Sequence, residues 1–465
     1  MDSPESFADL LPATRRALLH RIAVAQSEGR APSLVAAVVR EGRRVWDGAR
    51  SCVEGHEPDP DVQFRIGSIT KTFTAVLVLR LRDEGLLELD DRLVKYLPET
   101  ASEAEFGTAG RATIGQLLSH SAGLTTESAG PWWERTPGAL RPGLVDVVQQ
   151  PSTRHPAGRE FHYSNVGYAL LGALVERLRG ESWGAVLRRE VLEPLGMGRT
   201  TVLPEAPHAG GWAVHPWADV LLPEPLEDTG RMAPAGQLWS TVGDLCRWAG
   251  FLAEGDGKVL DAATLGEMRQ PTGAVHAGEG YGLGMQLLQA NGLAHAGHTG
   301  SMPGFLAALW IVPEQRLAAV VLTNTTTGIG GVGTLAADLL RITVEHEPRI
   351  PDPWRPLPSV DPDLLALTGP WYWGPTGYVL RLRAERGLEL TSVTGQLRGI
   401  PLRAEADGSW TATEGYWNGE SLRIVRGPDG SVSHLDLGTT VLTREPYPIA
   451  GPTPGGVDPA GWRGL

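Results

Sequence analysis

Ser68-Ile69-Thr70-Lys71 places a hydroxyl and an amine three residues apart. At the start of a helix the two share one face and come within reach of each other. An amine there can take the hydroxyl proton and leave an oxygen nucleophile. Lysine is rare in this chain: Lys+Arg total 41, yet only Lys71, Lys95 and Lys258 are lysine. Arginine could not do this work, because its guanidinium does not lose a proton near neutral pH. Lys71 has to be neutral to act as a base, which calls for burial or positive neighbours. The nucleophile also needs an oxyanion site, and Ser68 at a helix N-terminus has the dipole and free N–H groups for one. Alone, the motif also fits an N-capping serine followed by a solvated lysine.

Two later segments could complete the site. Tyr163-Ser164-Asn165 stands ahead of a helical run from Gly167 to Leu178. A tyrosine at such a junction can set its phenol beside the Ser-Lys pair and relay a proton, and Asn165 can bond a substrate amide; packing and capping are the competing readings. His298-Thr299-Gly300-Ser301 precedes Met302-Pro303-Gly304-Phe305. A glycine in a strand lets a substrate lie along the backbone. The Ser301 N–H could then join that of Ser68 as an oxyanion donor. A turn with an incidental histidine is the alternative.

The elements that must hold these residues read as α+β. A helical pattern covers about 7–27, and short β runs at 33–39 and 44–48 are joined by Glu41-Gly42, a hairpin signal. The helix after Ser68 extends to about Glu84, with Gly85 to end it. Apolar residues surround it, so it is expected to be buried. Helices and Pro/Gly-rich loops follow to about Gln270. Strands return at 281–289, 305–312 and 317–324, then a helix at about 335–345. Strands at both ends with helices between them predict an antiparallel sheet carrying an inserted helical lobe. Residues 346–361 are proline-rich and read as a linker. Short alternating runs with Gly turns over 362–447 read as a small β-barrel or sandwich, and 448–465 as a loose tail. The expected divisions are thus 1–345, 346–361, 362–447 and 448–465.

Composition narrows the function. The 465 residues are 42% hydrophobic and 20% charged, with a net charge of −13. That balance argues against nucleic acid and against a basic membrane-surface patch. No apolar stretch is long enough to span a bilayer, and the opening residues lack a signal-peptide pattern, so a cytoplasmic location is expected. Cys52 and Cys246 read as idle thiols. His295 and His298 have no cysteine or carboxylate cluster to complete a metal site, so neither metal nor cofactor is expected.

Other motifs match without the right context. Gly180-Glu181-Ser182-Trp183-Gly184 spells a nucleophile elbow, but a helix precedes it where a strand is required. Ser182 reads instead as a helix cap. Gly328 to Gly333 follows a strand but lacks the second parallel strand of a nucleotide site. His120 reads as a structural hydrogen-bonding residue. Trp132, Trp133, Trp212 and Trp217 lie in loops expected to flank the cleft, as substrate walls or as packing.

Jointly, Ser68-x-x-Lys71, Tyr163-x-Asn165 and His298-Thr299-Gly300 resemble the penicillin-binding-protein and class C β-lactamase superfamily, in its D-alanyl-D-alanine carboxypeptidase and esterase branch. The flanks Gly85 to Asp91, Leu117 to Leu124 and Pro194 to Met197 match as well. The resemblance covers 15–345 and implies a β-lactamase/transpeptidase-like fold. It makes Ser68 the acyl-accepting nucleophile, gives Lys71 and Tyr163 the acid/base work, and has Asn165 hold the substrate amide. Thr299, Gly300 and Ser301 would line the substrate, with the Ser68 and Ser301 N–H groups as oxyanion donors. His298 replaces a family lysine, and a neutral imidazole is a weaker partner for a carboxylate or a β-lactam.

The implied activity is a serine hydrolase or acyltransferase acting on an ester, amide or peptide. A C-terminal lipocalin-like domain also resembles penicillin-binding-protein-type thioesterases, which release and cyclise non-ribosomal peptides from a carrier protein. In that reading a peptidyl carrier protein is a partner, and Arg444 could hold a carboxylate or peptide backbone; a surface arginine is the alternative. A non-catalytic binding protein on the same scaffold is the third reading.

Overall fold

The computed structural model describes residues 10–52, 59–128, 130–148, 152–276, 279–327, 329–351, 353–384, 387–394, 399–438 and 440–447. The start of the first expected helix, Gly328 and the tail after Tyr447 lie outside these residues. The chain divides into two units, Met1–Arg349 and Ile350–Leu465.

In the first unit, eight strands form one antiparallel sheet in the order 43–51, 33–40, 317–323, 305–312, 293–302, 286–290, 279–281, 273–276. Strands from the two sequence ends meet where Ser33–Arg40 pairs with Leu317–Thr323. The first hairpin turns on Glu41 and Gly42, at φ 51° and 70°. Two positive φ values make the type I′ turn whose twist suits a two-residue hairpin.

The strand Ser33–Arg40 is apolar on both faces because both are covered. Leu34, Ala36 and Val38 join Leu18, Ile22, Leu335 and Leu339 from the helices Pro12–Glu28 and Val332–His346. Val35, Ala37 and Val39 face the other way, into the core shared with the helix Thr70–Asp83 and the helical lobe. The period-2 alternation of a strand thus sorts one sequence into two cores.

Thr70–Asp83 is preceded by a 3₁₀ turn, Gly67–Ile69. The helix is buried on nearly every side, yet its threonines are not orphaned. Thr72 donates to the Ile69 carbonyl at 2.8 Å and accepts from Trp248 Nε1 at 2.9 Å. Thr74 donates to the Pro234 carbonyl at 2.8 Å. Phe73 stacks on Trp248 with ring centroids 3.8 Å apart. Full burial of a polar helix is tolerable only when its hydroxyls find such partners.

The strand expected over 281–289 is two strands, Glu279–Tyr281 and Gln286–Ala290. Gly282 to Met285 form the turn between them, with Gly284 at φ 81°. A Cβ on Gly284 would sit 2.3 Å from Ala75 Cβ, so the turn packs directly on the buried helix. The apolar run hid this break because its glycines, not its hydrophobicity, decide the path.

The second unit is an eight-stranded antiparallel sheet in sequence order, from Gly369–Trp373 to Thr440–Leu442. Tyr372 and Thr443 exchange backbone hydrogen bonds of 2.7 and 2.9 Å, nearly closing the sheet on itself. Trp371, Leu380, Leu390, Leu422 and Leu435 fill its interior. Closure removes the free edges that a small sheet would otherwise expose.

Candidate active site

Two glycines bring the sheet against the turn that carries Ser68. A Cβ on Gly67, at φ 52°, would sit 2.5 Å from the Ser301 backbone nitrogen. A Cβ on Gly300 would sit 1.9 Å from the Ile66 carbonyl oxygen and 3.1 Å from the Ser68 nitrogen. Only residues without side chains permit this backbone-to-backbone seam. It holds the Ser68 and Ser301 amide nitrogens in one narrow region, where backbone donors can meet an oxyanion.

Lys71 is fully buried on the first turn of its helix. Its Nζ lies 3.0 Å from Ser68 Oγ, 2.7 Å from Asn165 Oδ1 and 2.7 Å from the Ala235 carbonyl oxygen. Burial lowers its pKa to about 7, against the opposing charges of Glu127 and Glu134. A neutral amine has two N–H donors and one lone pair. Asn165 Oδ1 and the Ala235 carbonyl can only accept, so they take the two N–H groups. Ser68 is the one neighbour of the three that can donate, and the lone pair faces it.

Tyr163 completes this side of the site. Lys71 Nζ lies 4.8 Å from its ring centroid. Burial raises the phenol pKa, partly offset by a hydrogen bond with Ser68. Tyr163 is therefore a neutral phenol beside Ser68. Behind it stands His120, its ring 4.3 Å from that of Tyr163 and 4.7 Å from that of Tyr281. His120 Nδ1 accepts from the Ser164 N–H at 3.0 Å, which fixes the loop entering the helix Asn165–Arg179. Ser164 Oγ caps that helix by accepting from the Gly167 N–H at 3.0 Å.

His298 is buried with both ring nitrogens engaged. Its Nδ1 lies 2.5 Å from the Thr299 carbonyl oxygen and its Nε2 3.1 Å from the Tyr281 hydroxyl. Burial, with Lys71 nearby, lowers its pKa to about 3. The ring is neutral, so it cannot replace the charge of a lysine at this place.

Asn165 is also spoken for at both ends. Its Oδ1 faces Lys71, and its Nδ2 lies 3.1 Å from each oxygen of Glu127. Trp133 Nε1 donates to Glu127 Oε2 at 2.6 Å. Glu134 is near both, and burial raises its pKa.

Thr299 alternates to the opposite face of its strand from His298. Its N–H and Oγ1 both reach Gln286 Oε1, at 3.0 and 3.2 Å. Arg444 lies in the second unit, where it bonds the carbonyls of Ala366, Thr368 and Pro370 and stacks 4.1 Å over Trp371. Those contacts are structural and leave the guanidinium occupied. Of the four tryptophans, Trp133 alone is buried beside the site, while Trp132 and Trp217 are exposed.

Sequence reasoning missed Glu127, Tyr281 and the Ala235 carbonyl. Tyr281 had a signal, since Gly282 and Gly284 mark the turn that leaves it at a strand end. Glu127 sits in an irregular loop with no periodicity to single it out, and a backbone carbonyl has no sequence signature.

The remaining motifs lie elsewhere. Ser182 accepts from the Ala185 N–H at 3.4 Å as the cap of a short helix. It lines a groove of about 1440 Å³ with Glu176, Arg231 and Pro234, whose lining does not include Ser68. No cluster of three or more His, Cys, Asp or Glu able to hold a metal occurs among the described residues. Both cysteines are free, and burial pushes the Cys246 thiol up to about 12. No helix among the described residues is long and apolar enough to cross a membrane.

Comparison with known proteins agrees with this fold. The family described as Beta-lactamase matches residues 17–342, and a domain of unknown function (DUF7586) matches 360–444. Penicillin-binding protein 4 of Amycolatopsis lactamdurans is 32% identical over 303 residues, 60% of this chain and 76% of that protein. Esterase EstB of Burkholderia gladioli is 29% identical over 359 residues, 66% of this chain and 90% of that protein. The octameric penicillin-binding protein homologue from Pyrococcus abyssi superposes with a TM-score of 0.62 at 22% identity, covering 92% of this chain and 99% of that one.

Proposed function

We propose, from the premise that the chain belongs to the beta-lactamase family, that it forms an acyl-enzyme at Ser68 and passes the acyl group to water or an amine. The observation that carries this reading is the Lys71 lone pair, left facing Ser68 Oγ by two acceptors at 2.7 Å. Lys71 takes the hydroxyl proton as Ser68 attacks the acyl carbon. The Ser68 and Ser301 N–H groups receive the developing oxyanion. Tyr163, a neutral phenol bonded to Ser68, relays the proton to the leaving group. The second half-reaction reverses these roles with water or an amine as acceptor.

Esters and amides without an obligatory carboxylate are the substrates this site favours. His298 is neutral and tied to Tyr281 and Thr299, so it offers no charge to a carboxylate or to a β-lactam. The relatives include an esterase, in keeping with that class. A fluorophosphonate probe followed by mass spectrometry tests the proposal. An adduct on Ser68 is expected, and folded protein without one would overturn the acyl-enzyme.

The nearly closed second unit supports a narrower reading, release and cyclisation of a peptide held as a thioester on a carrier protein. The acceptor is then the substrate's own amine. Peptidyl thioesters offered beside simple acyl esters separate the two, since linear acid as the sole product from every thioester excludes cyclisation.

A further inference from the structure

The Asn165 amide could stand in either of two orientations in its cavity, and only one leaves Lys71 able to act on Ser68. With Oδ1 toward Lys71 the contact is donor to acceptor, at 2.7 Å. Reversed, Nδ2 would face the Lys71 amine, and the amine would turn its lone pair to it and away from Ser68. Nothing in Asn165 itself decides between the two. Its backbone N–H is committed to the Thr126 carbonyl at 2.8 Å, which places the residue but not its amide.

The neighbour on the far side decides. We infer that Glu127 is a positioning residue that, by accepting from Asn165 Nδ2, holds Oδ1 on Lys71 and so aims the lone pair of Lys71 at Ser68. A carboxylate only accepts, so it rejects the reversed amide. Both of its oxygens lie 3.1 Å from Asn165 Nδ2. Trp133 is buried, and its Nε1 donates to Glu127 Oε2 at 2.6 Å, which fixes the carboxylate in turn. The relay runs Trp133, Glu127, Asn165, Lys71, Ser68, each hydrogen-bonded to the next.

Glu127 also carries charge toward Lys71. The groups that face this amine are the carboxylates of Glu127 and Glu134, the imidazoles of His120 and His298, and the phenols of Tyr163 and Tyr168. Burial disfavours the ammonium, and the two carboxylates oppose burial. Loss of the Glu127 charge therefore releases the Lys71 proton at lower pH.

The inference rests on the acyl-enzyme reading, so the test begins with the intact chain. Hydrolysis of a p-nitrophenyl acyl ester is followed across pH, with fluorophosphonate labelling in parallel. Glu127→Gln can donate as well as accept, so it no longer dictates the amide. We expect kcat to fall on the order of tenfold or more with KM little changed, and the acidic limb of the kcat/KM profile to move to lower pH. The double variant Glu127→Gln with Asn165→Asp restores an acceptor on Lys71, a donor opposite it and the original total charge. Its carboxylate, now in contact with Lys71, should hold the amine proton to higher pH, so kcat should recover on the alkaline side with the acidic limb moved up.

Wild-type rate and pH limb in Glu127→Gln, or no recovery in the double variant even at alkaline pH, would overturn the inference. If Glu127→Gln does not fold, Trp133→Phe removes one donor to Glu127. Lower kcat at unchanged KM then supports the relay, and unchanged kcat overturns it. Absence of a Ser68 adduct in the wild type is a separate failure, that of the acyl-enzyme itself.

Discussion

The Tyr281 hydroxyl donates to His298 Nε2 across 3.1 Å. The direction follows from the other nitrogen: Nδ1 faces the Thr299 carbonyl, which only accepts, so Nδ1 carries the proton. His298 is thereby held as a neutral ring of one tautomer, beside a lysine that is itself easily deprotonated.

Carboxylate-bearing substrates should gain nothing from that place. Paired ester substrates, with and without a free carboxylate beside the scissile group, should show kcat/KM values within about threefold of each other, less than about 1 kcal/mol. A strong preference for the carboxylate form, read in steady-state assays, would contradict the neutral His298.

Tyr281→Phe should leave His298 Nε2 buried without its donor. An orphaned buried group costs about 1–3 kcal/mol. Thermal unfolding of the first unit should shift down by a few degrees, and the pH profile should lose little of its shape, since Lys71 keeps its own partners.

The rate of acylation should rise with pH and level off. Lys71 is depressed to about 7 by burial, so below that pH it holds its proton and cannot take one from Ser68. Single-turnover acylation should therefore climb through about pH 7 to a plateau. A profile flat from pH 5 to 8 would remove Lys71 as the base.

Lys71→Arg keeps the charge and length but not the deprotonation. Acylation should fall by roughly 10²–10⁴-fold, the usual worth of a positioned general base. Labelling rates compared between the variant and wild type give the measurement.

Gly300→Ala puts a methyl into the seam, where its Cβ would meet the Ile66 carbonyl at 1.9 Å. Strand and turn must separate, which costs about 1–3 kcal/mol in a packed interior and moves Ser301 away from Ser68. Activity should fall more than stability does, as shown by kcat/KM beside the melting temperature.

Much of this site was legible because its chemistry is local. Ser68 and Lys71 sit one helical turn apart, so spacing alone brings them together, and the scarcity of lysine marked the pair. Tyr163-x-Asn165 and His298-Thr299-Gly300 were legible as motifs, and the two-ended sheet from its strand runs. The expected strand over 281–289 failed because two glycines turn the chain where hydrophobicity runs on. Asn165 was expected to hold substrate; in the fold its amide is enclosed between Lys71 and Glu127. Arg444 read either as a group for a carboxylate or peptide backbone or as a surface arginine; in the fold it bonds carbonyls of its own small unit.

The sequence by itself determined the class of fold and singled out the proposed nucleophile and base, since these follow from residue type, helical spacing and alternation along strands. The tertiary structure decided the state of each group. Lys71 is neutralisable because segments far apart in the chain, those of Asn165 and Ala235 among them, bury it, His298 is neutral because Tyr281 and Thr299 enclose it, and Asn165 is oriented because Glu127 stands opposite. Burial and partner choice come from residues far apart in the chain, and they set which protons can move.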